Sequence, residues 1–330
     1  MNLINASGLP GLIDAGRRVA MLIEARRRSV RYVALLLAAA ILPAGLAADD
    51  SNANVWDRVE HHTVKNGDVG IHYVTLGEGE PVLFIHGFPD IWYSYRHQMA
   101  ALEGDFRAAA MDLRGYNRSG QPKRVEDYAM PHLLADVAAV VEDLGAPINL
   151  VGHDWGGAIA WRFAIENPDK VKRLVIMNLT HPRGYANVIA NATEEQRRNV
   201  QYARNFASSE PDGSPVPEGL LGRYESEGEK VGGHYREAFS RSYWDGMLNY
   251  YRANYGGVAA GGEPPNLKMP VLQFHGLKDT AVDKDGLKNT WDWVDRDYTL
   301  VTVPTVGHWV QLEAADLVSN TMRAWLLARQ

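Results

Sequence analysis

The 330-residue sequence predicts an α/β fold: a mostly parallel central sheet with helices on both faces, interrupted by an inserted helical segment. Three observations carry this. Short continuous apolar runs alternate with helical patterns, as expected for strands buried on both faces and joined by right-handed crossovers. The alternation stops at about residue 181, where the chain turns rich in Asn, Arg, Tyr and Gly, and resumes at Met269. A glycine-bracketed turn, "GHDWGG", joins the apolar run Ile148 to Val151 to a helical stretch, so the chain bends sharply from strand into helix there.

Taken in order, residues 1–48 read as a leader. A basic block, "RRRSVRY", precedes the uncharged run Val33 to Ala48, and "DD" follows. That is the order of a secretory signal. Sixteen apolar residues fall short of the roughly 20 that span a bilayer. The expectation is cleavage near Ala47 or Ala48, export to the periplasm or beyond, and no membrane contact in the mature protein; Met21 offers a second start.

Residues 49–180 form the first part of the expected core. Strands are predicted at Val69 to Leu76, Val82 to Ile85, Ala108 to Met111, Ile148 to Val151 and Leu174 to Met177, with helices at Met130 to Leu144 and Gly157 to Asn167. Residues 181–265 are expected to be a helical cap. "NATEEQRRNVQYARNF" reads as helical from Thr193, which caps it with acidic residues in the first turn. "YREAFSRSYWDGMLNYYRANY" reads as a second helical region, and "GGVAAGGEPPN" as a linker. Residues 266–330 complete the core, with strands at Val271 to Phe274 and Leu300 to Val303 and a helix at Ala314 to Ala328.

The formal charge is −6, from 34 basic and 40 acidic residues, which gives no general attraction for nucleic acid. There is no cysteine, which excludes disulfides and thiolate metal sites. No metal-ligand spacing is present, and the chemistry below needs no cofactor. Self-association is left open.

At the sharp turn stands Asp154. On an ordinary strand–helix turn it would be an N-cap; at a strained elbow it is an anion on a helix N-terminus, with small neighbours because any Cβ would collide with the bent backbone. Asp279, in "FHGLKDTAV", stands just past a strand end, with Asp283 and Asp285 as nearby competitors, and "TVGHWVQLE" places His308 in the loop before the last helix. The chain order is therefore nucleophile, acid, histidine.

The motifs "HGFPDIWYSYRHQM", "MDLRGYNRSGQP", "VGHDWGGAIAW" and "GHWVQLE" make the chain, from about Val55 to its end, resemble the α/β-hydrolase superfamily and, within it, the epoxide hydrolases. The resemblance implies an oxyanion hole from the Phe88 and Trp155 N–H groups, with His86 holding that loop, and two cap tyrosines that protonate the opened epoxide. Tyr251 in "LNYYRAN" matches one of them, with Tyr250 as its rival, and Tyr202 in "VQYARNF" matches the other. Trp92, Trp309 and His153 are candidate pocket walls, and the partner is a small epoxide.

An aspartate suits displacement at saturated carbon. Serine would form a stable ether there, whereas a carboxylate, already ionised near neutral pH, forms an ester that water can cleave. The same nucleophile serves haloalkane dehalogenases. Those typically offer an asparagine two residues after the first-strand histidine, where this sequence has Phe88; the arginine that follows the nucleophile in fluoroacetate dehalogenases is replaced by Trp155. A ligand-binding relative without catalysis is the third reading, set against the presence of all three triad residue types.

Overall fold

The computed structural model describes residues 55–255 and 264–330. The expected leader and most of the "GGVAAGGEPPN" linker lie outside them. Eight strands, β1 (Glu60–Asn66), β2 (Val69–Leu76), β3 (Glu80–Ile85), β4 (Phe106–Met111), β5 (Ile148–His153), β6 (Val171–Met177), β7 (Val271–Gly276) and β8 (Tyr298–Val303), form one sheet in the order β1-β2-β4-β3-β5-β6-β7-β8. The β1–β2 and β2–β4 pairs are antiparallel, and every pair from β4 through β3 to β8 is parallel. The central strands are buried on both faces, as the unbroken apolar runs require. Leu83 and Ile85 join one core cluster and Val82 and Phe84 the other, all with 0% exposure.

Strand β1 was not expected. Its sequence, EHHTVKN, is polar, and its residues are exposed or half-buried on the sheet edge. Only backbone pairing to β2 makes it a strand, so apolar periodicity carries no trace of it.

Helices α1 (Arg96–Leu102), α2 (Met130–Leu144) and α3 (Trp155–Glu166) pack against the sheet. Between β6 and β7 the described residues hold helices and turns, and Leu267 makes an isolated bridge to Val294, beyond β7. The helices of that stretch longer than four residues are α4 (Pro182–Ala190), α5 (Glu194–Asn199), α6 (Gln201–Ala207), α7 (Glu229–Arg241) and α8 (Trp244–Asn254), with a four-residue helix at Gly222–Glu225; after β8 come a four-residue helix at Val310–Glu313 and α9 (Ala315–Leu327). Thr193 caps α5 in a full capping box with Gln196.

The helical region around residues 235–255 is two helices, α7 and α8. Ser242 turns extended, and its Oγ accepts a hydrogen bond from the Asn117 N–H at 2.8 Å, while the Tyr243 N–H donates to the Gly115 carbonyl at 2.8 Å. The core loop 112–120 thus takes the Tyr243 N–H, which would otherwise have continued the helix. The same loop is held from below by Arg114, whose guanidinium makes two 2.6 Å hydrogen bonds to buried Asp136. Arg252 ties α8 to the turn after α6, donating to the Ser209 carbonyl at 2.8 Å, and also donates to Asn249 Oδ1 within its own helix at 2.9 Å.

Candidate active site

Asp154 sits between β5 and α3 with φ +51° and ψ −122°, a left-handed backbone that side chains rarely adopt. The bend is possible because Gly156 lies against β3: a Cβ there would come 2.0 Å from the Ile85 carbonyl oxygen. A non-glycine residue held in such a conformation marks a site the surrounding structure over-determines. Its Oδ1 accepts the Phe88 N–H at 2.7 Å, and its Oδ2 lies 3.4 Å from His308 Nε2. The Trp155 N–H opens α3 and so has no partner within the helix.

His308 stands in the loop after β8. Its Nδ1 donates to Asp279 Oδ2 at 2.8 Å. Asp279 follows β7, and its other oxygen, Oδ1, accepts the N–H groups of Ala281 at 2.8 Å and Val282 at 3.0 Å. The neighbours of Asp279 serve elsewhere: Asp283 caps a local turn through the Asp285 N–H, and Asp285 pairs with Lys288 at 2.9 Å.

These charges shape one another. Burial by itself would lower the pKa of His308, but hydrogen bonds to Asp154 and Asp279, with their charges, overcome it and push it up to about 10. Burial by itself would raise both carboxylates; His308 and hydrogen-bond donors instead hold Asp154 below the ordinary carboxylate value and Asp279 down at about 2. The two carboxylates thus favour the protonated imidazole in a site largely shielded from water.

Tyr251 stands edge-on to Trp155, with centroids 5.1 Å apart, and to Phe88 at 5.4 Å. The Tyr202 ring lies 6.3 Å from Tyr251, and the residue is 38% exposed. Burial first, then the Asp154 charge, raises the pKa of both phenols, so both stay protonated donors. Tyr250, in contrast, is committed to the core: it is 0% exposed and its hydroxyl donates to the Arg114 carbonyl at 2.9 Å.

Three candidate wall residues fall out differently. Trp92 is not brought to the site; its indole stacks on Trp56 at 5.2 Å and meets the edge of Tyr93 inside the core, where a large aromatic two residues past a buried loop packs by default. His153 lies beneath the histidine with 0% exposure, its Nε2 donating to the His308 carbonyl at 2.8 Å. Trp309 packs on the His308 ring, centroids 4.9 Å apart, under the Arg223 guanidinium at 3.8 Å. His86 ties down the loop that carries Phe88, donating from Nδ1 to the Gly87 carbonyl at 2.8 Å while Nε2 accepts the Leu113 N–H at 3.1 Å.

Sequence reasoning missed two residues. Asn178, just past β6, donates to Asp279 Oδ2 at 2.7 Å; an isolated Asn after an apolar run carries no signal beyond turn propensity. Asp90 is fully buried in the Phe88 loop, where Tyr235 from α7 donates to its Oδ1 at 2.8 Å, and burial pushes its pKa up to about 7 against those donors. Among the described residues no cluster of His, Asp or Glu is arranged to hold a metal ion, and no helix is long and apolar enough to cross a membrane.

A family profile described as the α/β hydrolase fold matches residues 80–315. Among curated proteins, epoxide hydrolase 2 of Caenorhabditis elegans is 30% identical over 284 residues, covering 81% of this chain and 79% of that protein. Epoxide hydrolase 4 of Mus musculus is 28% identical over 285 residues, covering 80% and 78%. Among solved structures, the Bacillus megaterium epoxide hydrolase in complex with an inhibitor superposes with a TM-score of 0.73 at 28% identity, covering 81% of this chain and 99% of that one.

Proposed function

The chain belongs to the α/β-hydrolase family, in its epoxide hydrolase branch, and on that premise we propose that it converts an epoxide to a vicinal diol through an alkyl ester on Asp154. The observation that carries the reading is the division of labour at Asp154: Oδ1 is held by an oxyanion-hole amide while Oδ2 faces an imidazole tied to a second carboxylate.

In the first half-reaction Oδ2 attacks an epoxide carbon. The C–O bond of the ring breaks, and its oxygen takes a proton donated at Tyr251 or Tyr202. The resting His308 cation supplies the proton that balances this step and is left neutral. Esterification removes one of the two anions that raised its pKa, so the imidazole becomes a base when one is needed. In the second half-reaction it takes a proton from water as the water oxygen bonds to the ester carbon. The electron pair moves to Oδ1, where the Phe88 and Trp155 amides stabilise it. Collapse expels the diol oxygen, which takes the proton back, and Asp154 returns its own proton to His308.

The test is His308→Gln incubated with a styrene-oxide-type epoxide. The expected result is a mass increment of one epoxide on the peptide carrying Asp154, with diol release lost. Wild-type diol release without an adduct overturns the proposal. Bromide released from a bromoalkane, with no diol from any epoxide, would assign the same nucleophile to dehalogenation instead.

A further inference from the structure

Side chains at the ends of two other strands hold two carbonyls of the loop that carries His308. Three consecutive carbonyls from Val306 to His308 each have a partner. The Val306 carbonyl accepts the Lys278 N–H at 3.0 Å, the Gly307 carbonyl accepts Asn178 Nδ2 at 3.1 Å, and the His308 carbonyl accepts His153 Nε2 at 2.8 Å. Asn178 and His153 are both 0% exposed and stand at the carboxyl ends of β6 and β5. Asn178 is itself fixed: its backbone is left-handed at φ +43°, its Oδ1 accepts the Gly276 N–H at 3.2 Å, and the same Nδ2 also donates to Asp279 Oδ2 at 2.7 Å. Gly276 lets β7 lie flat against the loop, since a Cβ there would come 2.1 Å from the Gly307 oxygen. The N–H groups of Gly307 and Trp309 go to the Glu313 carboxylate, a local contact within the following turn.

We infer that Asn178 and His153 are positioning residues that clamp the Gly307 and His308 carbonyls and thereby fix the imidazole for the water-activating step. Neither touches the reacting atoms. Asn178 ties the acid to the histidine loop, and His153 ties the strand that leads into the nucleophile to the same loop. The clamp matters unequally to the two half-reactions. Attack by Asp154 uses the charge of His308, which tolerates a small displacement. Ester cleavage needs a water within hydrogen-bond reach of Nε2 and in line with the ester carbon, where a shift of about 1 Å costs on the order of 100-fold.

The inference rests on the ester route proposed above, and stopped-flow and rapid-quench kinetics separate the two. The variants are Asn178→Gly, which keeps the left-handed backbone at ease, His153→Leu, and both together. For each single variant, ester formation and kcat/KM should stay within about 3-fold of wild type while ester hydrolysis and kcat fall roughly 10- to 100-fold, so that KM falls with kcat and the adduct accumulates. The double variant should hydrolyse the ester within about 3-fold of the slower single one, because both side chains act through one loop. Proportional losses in both half-reactions, unchanged hydrolysis, or losses that multiply in the double variant overturn the clamp. Should His153→Leu not fold, Asn178→Gly alone decides by the split between kcat and kcat/KM. A wild-type enzyme that never forms an ester refutes the proposed function instead.

Discussion

Asp154→Asn replaces the carboxylate with a neutral group of the same shape, much as esterification does. In the wild-type protein the carboxylate lies 3.4 Å from His308 Nε2. At an effective dielectric constant of about 20, a unit charge at that distance is worth about 5 kcal/mol, or between three and four decades of proton affinity. With Asp279 left as the only anion in contact, the His308 pKa should drop from about 10 to between about 6 and 7. The assay is a pH titration of the imidazole by NMR, with histidine isotopically labelled and His308 assigned by its loss in His308→Gln. A His308 that still titrates near 10 in Asp154→Asn refutes the reasoning, because the proton would then be held without the nucleophile. A stability signature accompanies the shift. The folded wild-type protein binds this proton more tightly than the unfolded chain, so the contribution is full below about pH 6.5 and is lost as pH rises towards about 10. Asp154→Asn should lack most of that slope, and the gap between the two unfolding midpoints should be widest near pH 6 and close towards pH 10.

The adjacent tyrosines should separate cleanly. Tyr251→Phe should slow epoxide opening on the order of 100-fold or more with little effect on unfolding, and any displacement of halide should survive it. Tyr250→Phe should leave the chemistry nearly intact but destabilise the fold by about 1–3 kcal/mol in urea unfolding, since it orphans the Arg114 carbonyl. Equal effects of the two on turnover would reverse the assignment. Asp136→Leu should cost about 3–5 kcal/mol by the same measure, because it leaves the Arg114 guanidinium buried beneath the loop that seats α8. A loss under about 1 kcal/mol would mean that this loop is held from elsewhere.

Strands were legible where burial on both faces imposes a continuous apolar run, as in "VLFI" of β3 and "LVIM" of β6. They were illegible where an edge segment is nearly all polar, as in β1. Candidate nucleophile, acid and histidine were legible because each has a local signature: a glycine-bracketed elbow, an aspartate past a strand, a histidine before the last helix. Asn178 and the placement of Trp92 were not, because each depends on what lies opposite in space. The break at Ser242 follows the same rule, since the core loop that bonds to Ser242 and Tyr243 lies more than 100 residues away along the chain.

The amino-acid sequence by itself determined the α/β alternation, the elbow and the chemical types of the site residues, since these follow from periodicity, glycine sterics and the spacing of a few side chains along the chain. Only the tertiary structure decided which of two neighbouring tyrosines commits its hydroxyl to the Arg114 carbonyl, and that Asn178 joins Asp279 to the His308 loop. The side-by-side order β5-β6-β7-β8 sets the carboxyl ends of those strands next to one another. Distances between groups dozens of residues apart are products of that packing, and they, more than residue identity, set the proton affinities at the site.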